Sequence, residues 1–114
     1  MKAIYISALE QDVYYDIGKN AQHNFDLIDN ANSDDIWFHI NNAPSTHIIA
    51  HTAGLNLNKK QLRQIIKSGA LLCKQSSKYK SVNNVEIIYT QIKNITKQKT
   101  VGSVTTINAK TIII

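Results

Sequence analysis

Two short apolar runs, Ile36–Ile40 and Ile48–His51, joined by the polar segment Asn41-Asn42-Ala43-Pro44-Ser45, constrain this chain more than any other feature. Runs of this length, rich in Ile, Trp and Phe and bounded by a turn, read as neighbouring strands. The stretch from Asp35 to Ile49 holds the only Trp, the only Pro and two of the four His within fifteen residues. His39 and His47 can approach each other across such a hairpin. From the residues alone, the segment is a core with unusual contents, a recognition surface or an active site.

The remaining elements follow from local chemistry. Lys2–Ser7 and Val13–Ile17 read as strands, and Gly18-Lys19-Asn20 breaks the run. Ala21–Ala31 fits a short helix capped by Asn20. A longer helix starts near Asn58, with Gln61 in capping-box position and an apolar stripe of Leu62, Ile65, Ile66, Gly69, Leu72 and Cys73. Lys60, Arg63, Lys67, Lys74 and Lys78 fall on a separate arc of roughly 60° at about 100° per residue. Val85–Tyr89 reads as a central strand, and Gln91–Thr100 is polar and basic. Val101–Ile107 and Lys110–Ile114 read as a closing hairpin around Asn108-Ala109. The expectation is a single α+β domain over residues 1–114, with a mixed or antiparallel sheet of about six or seven strands, one short helix and one long.

Charge is divided unevenly along the chain. Residues 1–58 carry two lysines against seven acids, whereas residues 59–114 carry eleven Lys or Arg against Glu86 alone. Such separation marks a surface that faces a polyanion. Lys80, Lys93, Lys97 and Lys99 extend the basic row beyond the long helix. Nucleic acid is favoured over anionic membrane because the apolar stripe is committed to the core. No run of 18 apolar residues is present, no signal peptide is expected at the N-terminus, and the single Cys73 fits a reducing compartment. The expected location is cytoplasmic.

The candidate chemistry is sparse. The spacing of His39, His47 and His51 matches no zinc signature. Ser45 and Thr46 adjoin His47 in sequence only, which says little about triad geometry. Gly18-Lys19-Asn20 lacks the second glycine and the Lys-Ser/Thr ending of a phosphate loop, yet a helix N-terminus beside a lysine can hold one phosphate. Each histidine therefore has a structural reading, a hydrogen-bonded group at a strand end. Its binding reading is an imidazole beside Trp37 and Phe38 that contacts phosphate or a base. No catalytic residue, metal ligand or cofactor is assigned.

Several segments, taken in order, resemble a known family. They are Gly18-Lys19-Asn20 with Asn24 and Leu27, Asp35-Ile36-Trp37-Phe38-His39, Pro44-Ser45-Thr46-His47-Ile48-Ile49, Val85 with Tyr89-Thr90, Val101-Gly102 with Val104, and Lys110-Thr111-Ile112. Their order resembles the NFACT-R domain, the RNA-binding domain of ribosome-quality-control factors of the NEMF/Caliban/fibronectin-binding-protein-A type. The likeness runs from about residue 13 to the C-terminus and is nearest to the small stand-alone members, here expected without their coiled-coil tail. Two departures are visible. Ser45-Thr46-His47 stands where the family often has Gly-Ser-His, and His51 where it often has Arg.

The resemblance implies a non-enzymatic RNA-binding module, with tRNA, rRNA or other structured RNA as partner and a link to translation or ribosome quality control. DNA and the ribosome are further candidate partners, and no membrane is expected. A protein-docking adaptor and a general DNA/RNA-binding protein are the alternatives. Lys60, Arg63, Lys67, Lys74, Lys78, Lys80, Lys93, Lys97 and Lys99 are expected to neutralise phosphates. Lys19, Asn20, His39 and His47 are expected to form a more selective patch. His51 would replace an arginine contact weakly and with pH dependence.

Overall fold

Both apolar runs lie at the centre of the main sheet. The computed structural model describes residues 1–114. In chain order the elements are strands β1 (Lys2–Ile6) and β2 (Gln11–Ile17), helix α1 (Ala21–Asn30), strands β3 (Ile36–Ile40) and β4 (Ile48–Ala50), and helix α2 (Lys59–Gln75). Strand β5 (Glu86–Gln91), a 3-10 turn (Ile92–Asn94), and strands β6 (Ile95–Lys97), β7 (Val104–Thr106) and β8 (Lys110–Ile113) complete the chain. The main sheet has six strands in the order β1-β2-β4-β3-β5-β8, and β6 pairs with β7 in a separate ribbon. Every pairing is antiparallel. The architecture is α+β.

Strand β3 is apolar on both sides, so each face of the sheet needs a cover. Ile36, Phe38 and Ile40 point to one face, where Val13, Tyr15, Ile48, Ala50 and Ile87 join them beneath Ile65, Ala70, Leu72 and Cys73 of α2. The Tyr15 hydroxyl donates to the Ile65 carbonyl at 2.9 Å, tying β2 to the helix. Trp37 and Ile49 point to the other face and pack against Ile28, Phe25 and Leu27 of α1 and Ile95 and Val104 of the ribbon. The two helices thus lie on opposite faces of the sheet.

Caps set where the helices begin. The Asn20 side chain accepts from the His23 N–H and starts α1. Asn58 and Gln61 form the reciprocal capping box that opens α2. Each such cap stabilises its helix by about 1 kcal/mol. The stripe on α2 is buried at Ile65, Gly69, Leu72 and Cys73, and it also includes Ala70. Leu62 at the outer edge is 37 % exposed. The helix ends at Gln75, which leaves Lys78 in the turn that follows.

One expected pairing is overturned. Val104–Thr106 does not form a hairpin with Lys110–Ile113; it pairs with Ile95–Lys97, while β8 joins the free edge of β5. Asn108, at φ 52°, turns the chain from the ribbon back to the main sheet. The Thr90 hydroxyl donates to the Ile107 carbonyl and fixes this crossing. The polar segment after β5 therefore contributes a strand, and that strand captures the first half of the expected hairpin.

Gly69 lets α2 approach the sheet. A Cβ built there would meet the Phe38 ring at 2.3, 2.5 and 2.8 Å, and Phe38 is fully buried with no room to move aside. Replacing a mid-helix glycine by alanine normally gains about 1 kcal/mol of helix propensity, but overpacking of this kind costs about 1–3 kcal/mol. Gly69→Ala should therefore lower stability in urea unfolding. Adding Phe38→Leu should recover part of that loss, and an unchanged midpoint in the single variant would contradict this packing.

Candidate nucleic-acid interface

The face covered by α1 and the ribbon is not filled. A cavity of about 670 Å³ opens between the start of α1, the β3–β4 turn and the loop leading into β7. Gly18, Lys19, Asn20, Ala21 and Asn24 form one wall, and Asn41–Thr46 form another. Val101–Val104 form a third wall, and Trp37, His39, His47 and Ile88 make the floor. None of the residues lining it carries a carboxylate, and Lys19 is the one cation.

Pairing of β3 with β4 brings the two histidines together. Their ring centroids lie 5.1 Å apart at near right angles. The Trp37 indole stacks parallel to His39 at 5.5 Å and meets the edge of His47 at 5.4 Å. A 2.6 Å contact joins His39 Nδ1 to the Ile40 carbonyl, which can only accept. Nδ1 therefore carries the proton, and Nε2 keeps an acceptor lone pair.

Burial pushes the pKa of His39 down, with the Ile40 carbonyl acting against the shift. His47, 1 % exposed, is lowered to about 4 by burial first and by its neighbour His39 second, with the Gly102 backbone opposing. Both rings are neutral hydrogen-bonding groups at pH 7. Two buried polar nitrogens of the floor, Trp37 Nε1 and His47 Nδ1, have no hydrogen-bond partner.

The walls are tied to the sheet by backbone and side-chain hydrogen bonds. The Gly18 N–H donates to the His47 carbonyl at 2.9 Å, and the His47 N–H donates to Asn24 Oδ1 at 3.3 Å. A Cβ on Gly18 would sit 1.7 Å from that same oxygen, so glycine is required for the buried Asn24 to reach β4. Thr46 Oγ1 donates to the Gly18 carbonyl, and Ser45 Oγ accepts from the Ile40 N–H. At the rim, a Cβ on Gly102, whose φ is 87°, would meet the Ala21 Cβ at 2.9 Å. The loop into β7 thus closes against the first turn of α1.

The model of the NFACT protein RNA-binding domain matches residues 2–107. The chain belongs to this family. Among solved structures, it is similar to the C-terminal part of the fibronectin/fibrinogen-binding protein from Streptococcus suis, with 25 % identity and a TM-score of 0.76. The match covers 90 % of this chain and 40 % of that one, so the likeness concerns one portion of the larger protein. No curated protein matches the chain.

Within this NFACT-R fold the expected site residues separate into distinct places. Lys19, Asn20, His39 and His47 gather at the cavity, although His47 is buried in its floor and reaches the surface least. Lys60, Arg63 and Lys67 are exposed on α2, across the sheet from the cavity, and none forms an ion pair. Lys74 is half-buried and donates to the Ile114 carbonyl at 3.1 Å. Lys78 lies 5.5 Å from the Tyr79 ring centroid. Lys80 and Lys99 are exposed in turns.

Lys93 and Lys97 lie in the half of the chain whose one acid is Glu86, but the fold brings acids of the other half to them. Lys93 pairs with Asp34 at 3.1 Å and Lys97 with Asp29 at 2.5 Å. Lys97 also covers the Phe25 ring. Acids remote in sequence are brought to these lysines when the ribbon packs beside α1.

His51 lies at the other end of β4, roughly 13 Å along the strand from His47 at about 3.3 Å per residue. Its Nε2 is 2.6 Å from Asp16 and its Nδ1 is 3.1 Å from Asp35. Asp35 is fully buried and also accepts the N–H groups of Asn32, Thr52 and Ala53. With both nitrogens engaged, His51 clamps β2, β3 and β4 together. No group of three His, Cys, Asp or Glu side chains is arranged to hold a metal ion.

Sequence reasoning assigned no site role to Asn24, which entered only through the family resemblance, to the Asn41–Asn42 wall or to the Gly102–Ser103 rim. Val101-Gly102 was visible only as part of the family resemblance, because nothing local says that this loop returns to α1.

His47 gives the floor a measurable signature. Its pKa is depressed in the fold, so below pH 6.5 the unfolded chain takes up a proton that the folded chain refuses. Stability from this group is fully present above pH 6.5 and is lost as pH falls toward 4, by roughly 3 kcal/mol in total. In proton NMR the His47 ring resonances should stay neutral until about pH 4. A midpoint near 6.5 would show that the ring is not buried as described.

Proposed function

We propose that this domain binds structured RNA, tRNA or rRNA among the candidates, without catalysing a reaction on it, in a setting linked to translation. The observation that carries this reading is the unpaired cationic row of α2 in a chain of the NFACT RNA-binding family. Lys60, Arg63, Lys67 and Lys74 span roughly 21 Å of helix at 1.5 Å per residue, enough for several successive phosphates. Lys93 and Lys97 contribute less, because each already neutralises a carboxylate.

The row and the cavity lie on opposite faces but share one end of the sheet. Cys73, on the last turn of α2, lies 4.0 Å from the carbonyl of Thr46 in the cavity wall. Lys74, Lys78 and Lys80 therefore lead from the helix toward the β3–β4 turn. RNA following them passes round the end of the sheet and not across its flat faces.

Counterion release gives the test. Binding to a tRNA, measured by filter retention, should weaken with salt at a log–log slope of about −0.7 to −0.9 per phosphate contact. The double variant Lys60→Glu, Lys67→Glu should retain its circular dichroism and lose at least about tenfold affinity at low salt, with a slope shallower by roughly 1.5. Unchanged binding would remove α2 from the interface.

Docking on protein is the second reading, favoured by a part of the sheet that α1 leaves bare. Tyr5 is 62 % and Tyr14 51 % exposed there, and the similar Streptococcus suis protein is named for binding fibronectin and fibrinogen. Absence of salt-sensitive RNA binding at micromolar protein would favour this reading.

A further inference from the structure

Resting on the RNA-binding reading, we infer that the cavity floored by Trp37, His39 and His47 receives a single unpaired nucleotide of the bound RNA. Its volume lies within the range of pockets that enclose drug-sized ligands, which is the size class of one nucleotide. A duplex does not fit between its walls. Only a nucleotide that has left the helical stack, at a strand end or a bulge, can enter.

The chemistry of the lining matches the parts of a nucleotide. Trp37 stacks on one side of the His39 ring, 7° from parallel, and His39 is the half-buried aromatic group that meets the cavity. A base stacks on such a ring irrespective of its identity. The imidazoles are uncharged, and His39 Nε2 offers an acceptor to an amino or imino group on the base edge. Asn41, Asn42, Thr46 and Ser103 bring further donors and acceptors to the walls.

Charge is limited to Lys19, at the N-terminus of α1, where no side chain caps the Ala21 and Gln22 N–H groups. One cation beside a helix N-terminus suits one phosphate, and the absence of carboxylates leaves nothing to repel it. A protein ligand would offer no reason for this combination of an aromatic stack, neutral imidazoles and a single-phosphate corner.

A second observation points to a ligand independently of shape. The buried polar atoms of the walls are satisfied, Asn24 by the His47 N–H and the Thr46 hydroxyl by Gly18, yet Trp37 Nε1 and His47 Nδ1 in the floor are not. Buried groups left without partners are rare in native folds. Two beneath one cavity floor are hydrogen-bonding groups left for a ligand to complete as the floor adjusts around it.

Trp37 is the only tryptophan, so its fluorescence reports on this floor alone. The experiment titrates the protein with a blunt RNA hairpin and with the same hairpin extended by one unpaired 3′ nucleotide. It follows Trp37 emission and the ratio of the two dissociation constants. The extended hairpin should quench Trp37 and bind about tenfold more tightly, as expected for one stacked base.

His39→Ala and, separately, the exposed-site change Lys19→Glu should each collapse this ratio toward one. Lys60→Glu with Lys67→Glu should weaken both RNAs and preserve the ratio. Equal affinity for the two hairpins without quenching, while binding remains salt-sensitive, overturns the nucleotide pocket and leaves the RNA-binding reading intact. Failure of either hairpin to bind overturns both.

Discussion

Strand β3 is the constraint on which the rest depends. Ile36, Trp37, Phe38 and Ile40 are all at most 6 % exposed, so the strand buries side chains on both faces. Burying each large apolar side chain contributes about 1.5–3 kcal/mol, a gain that vanishes wherever a face is left bare. A single helix cannot cover two faces. The chain therefore sends α2 to the Phe38 side and α1, with the β6–β7 ribbon, to the Trp37 side.

The two covers differ in completeness, and the difference makes the two faces of the sheet unlike. Helix α2 is 17 residues long and sits close enough to require Gly69 against Phe38. Helix α1 has 10 residues, and its partner ribbon has three residues per strand. These shorter elements seal over Trp37 and Ile49 but end short of His39, the one residue of β3 that is not buried. The gap beyond them is the cavity. A tight face releases the outer side of α2 to carry cations, whereas a loose face leaves neutral aromatic groups accessible.

Much of this arrangement can be read in the sequence wherever one segment fixes its own conformation. Asn58 with Gln61, the 3.6-residue stripe ending at Cys73, and the short apolar runs around Trp37 and Ile49 all encode local outcomes. What escapes is the result of competition between distant partners. Val104–Thr106 had two strands available and took Ile95–Lys97, because β8 completes the edge of β5 while the ribbon covers the Trp37 face. Lys93 and Lys97 look unopposed along the chain, yet packing sets them against Asp34 and Asp29, 59 and 68 residues away. The nearness of His39 and His47 was legible because a hairpin places it. The Gly102 rim was not, because it meets Ala21, 81 residues earlier in the chain.

The histidines also show why charge and fixed hydrogen-bonding geometry reside on different surfaces. A protonated imidazole in the floor would have to shed its hydration in a site that supplies no carboxylate, and burial therefore holds His47 neutral. Neutral rings cannot add to long-range attraction for a polyanion. They can form directional hydrogen bonds without being blurred by a mobile counterion. On α2 the balance is reversed: exposed Lys60, Arg63 and Lys67 keep their hydration and charge but hold no fixed geometry. His51, grouped with the phosphate-contacting residues by its place in the sequence, is instead held between Asp16 and Asp35, with both ring nitrogens engaged inside the fold. On the proposed reading, attraction belongs to the solvated helix and discrimination to the desolvated floor. The end of the sheet that they share, at Cys73 and Thr46, would let one ligand meet both.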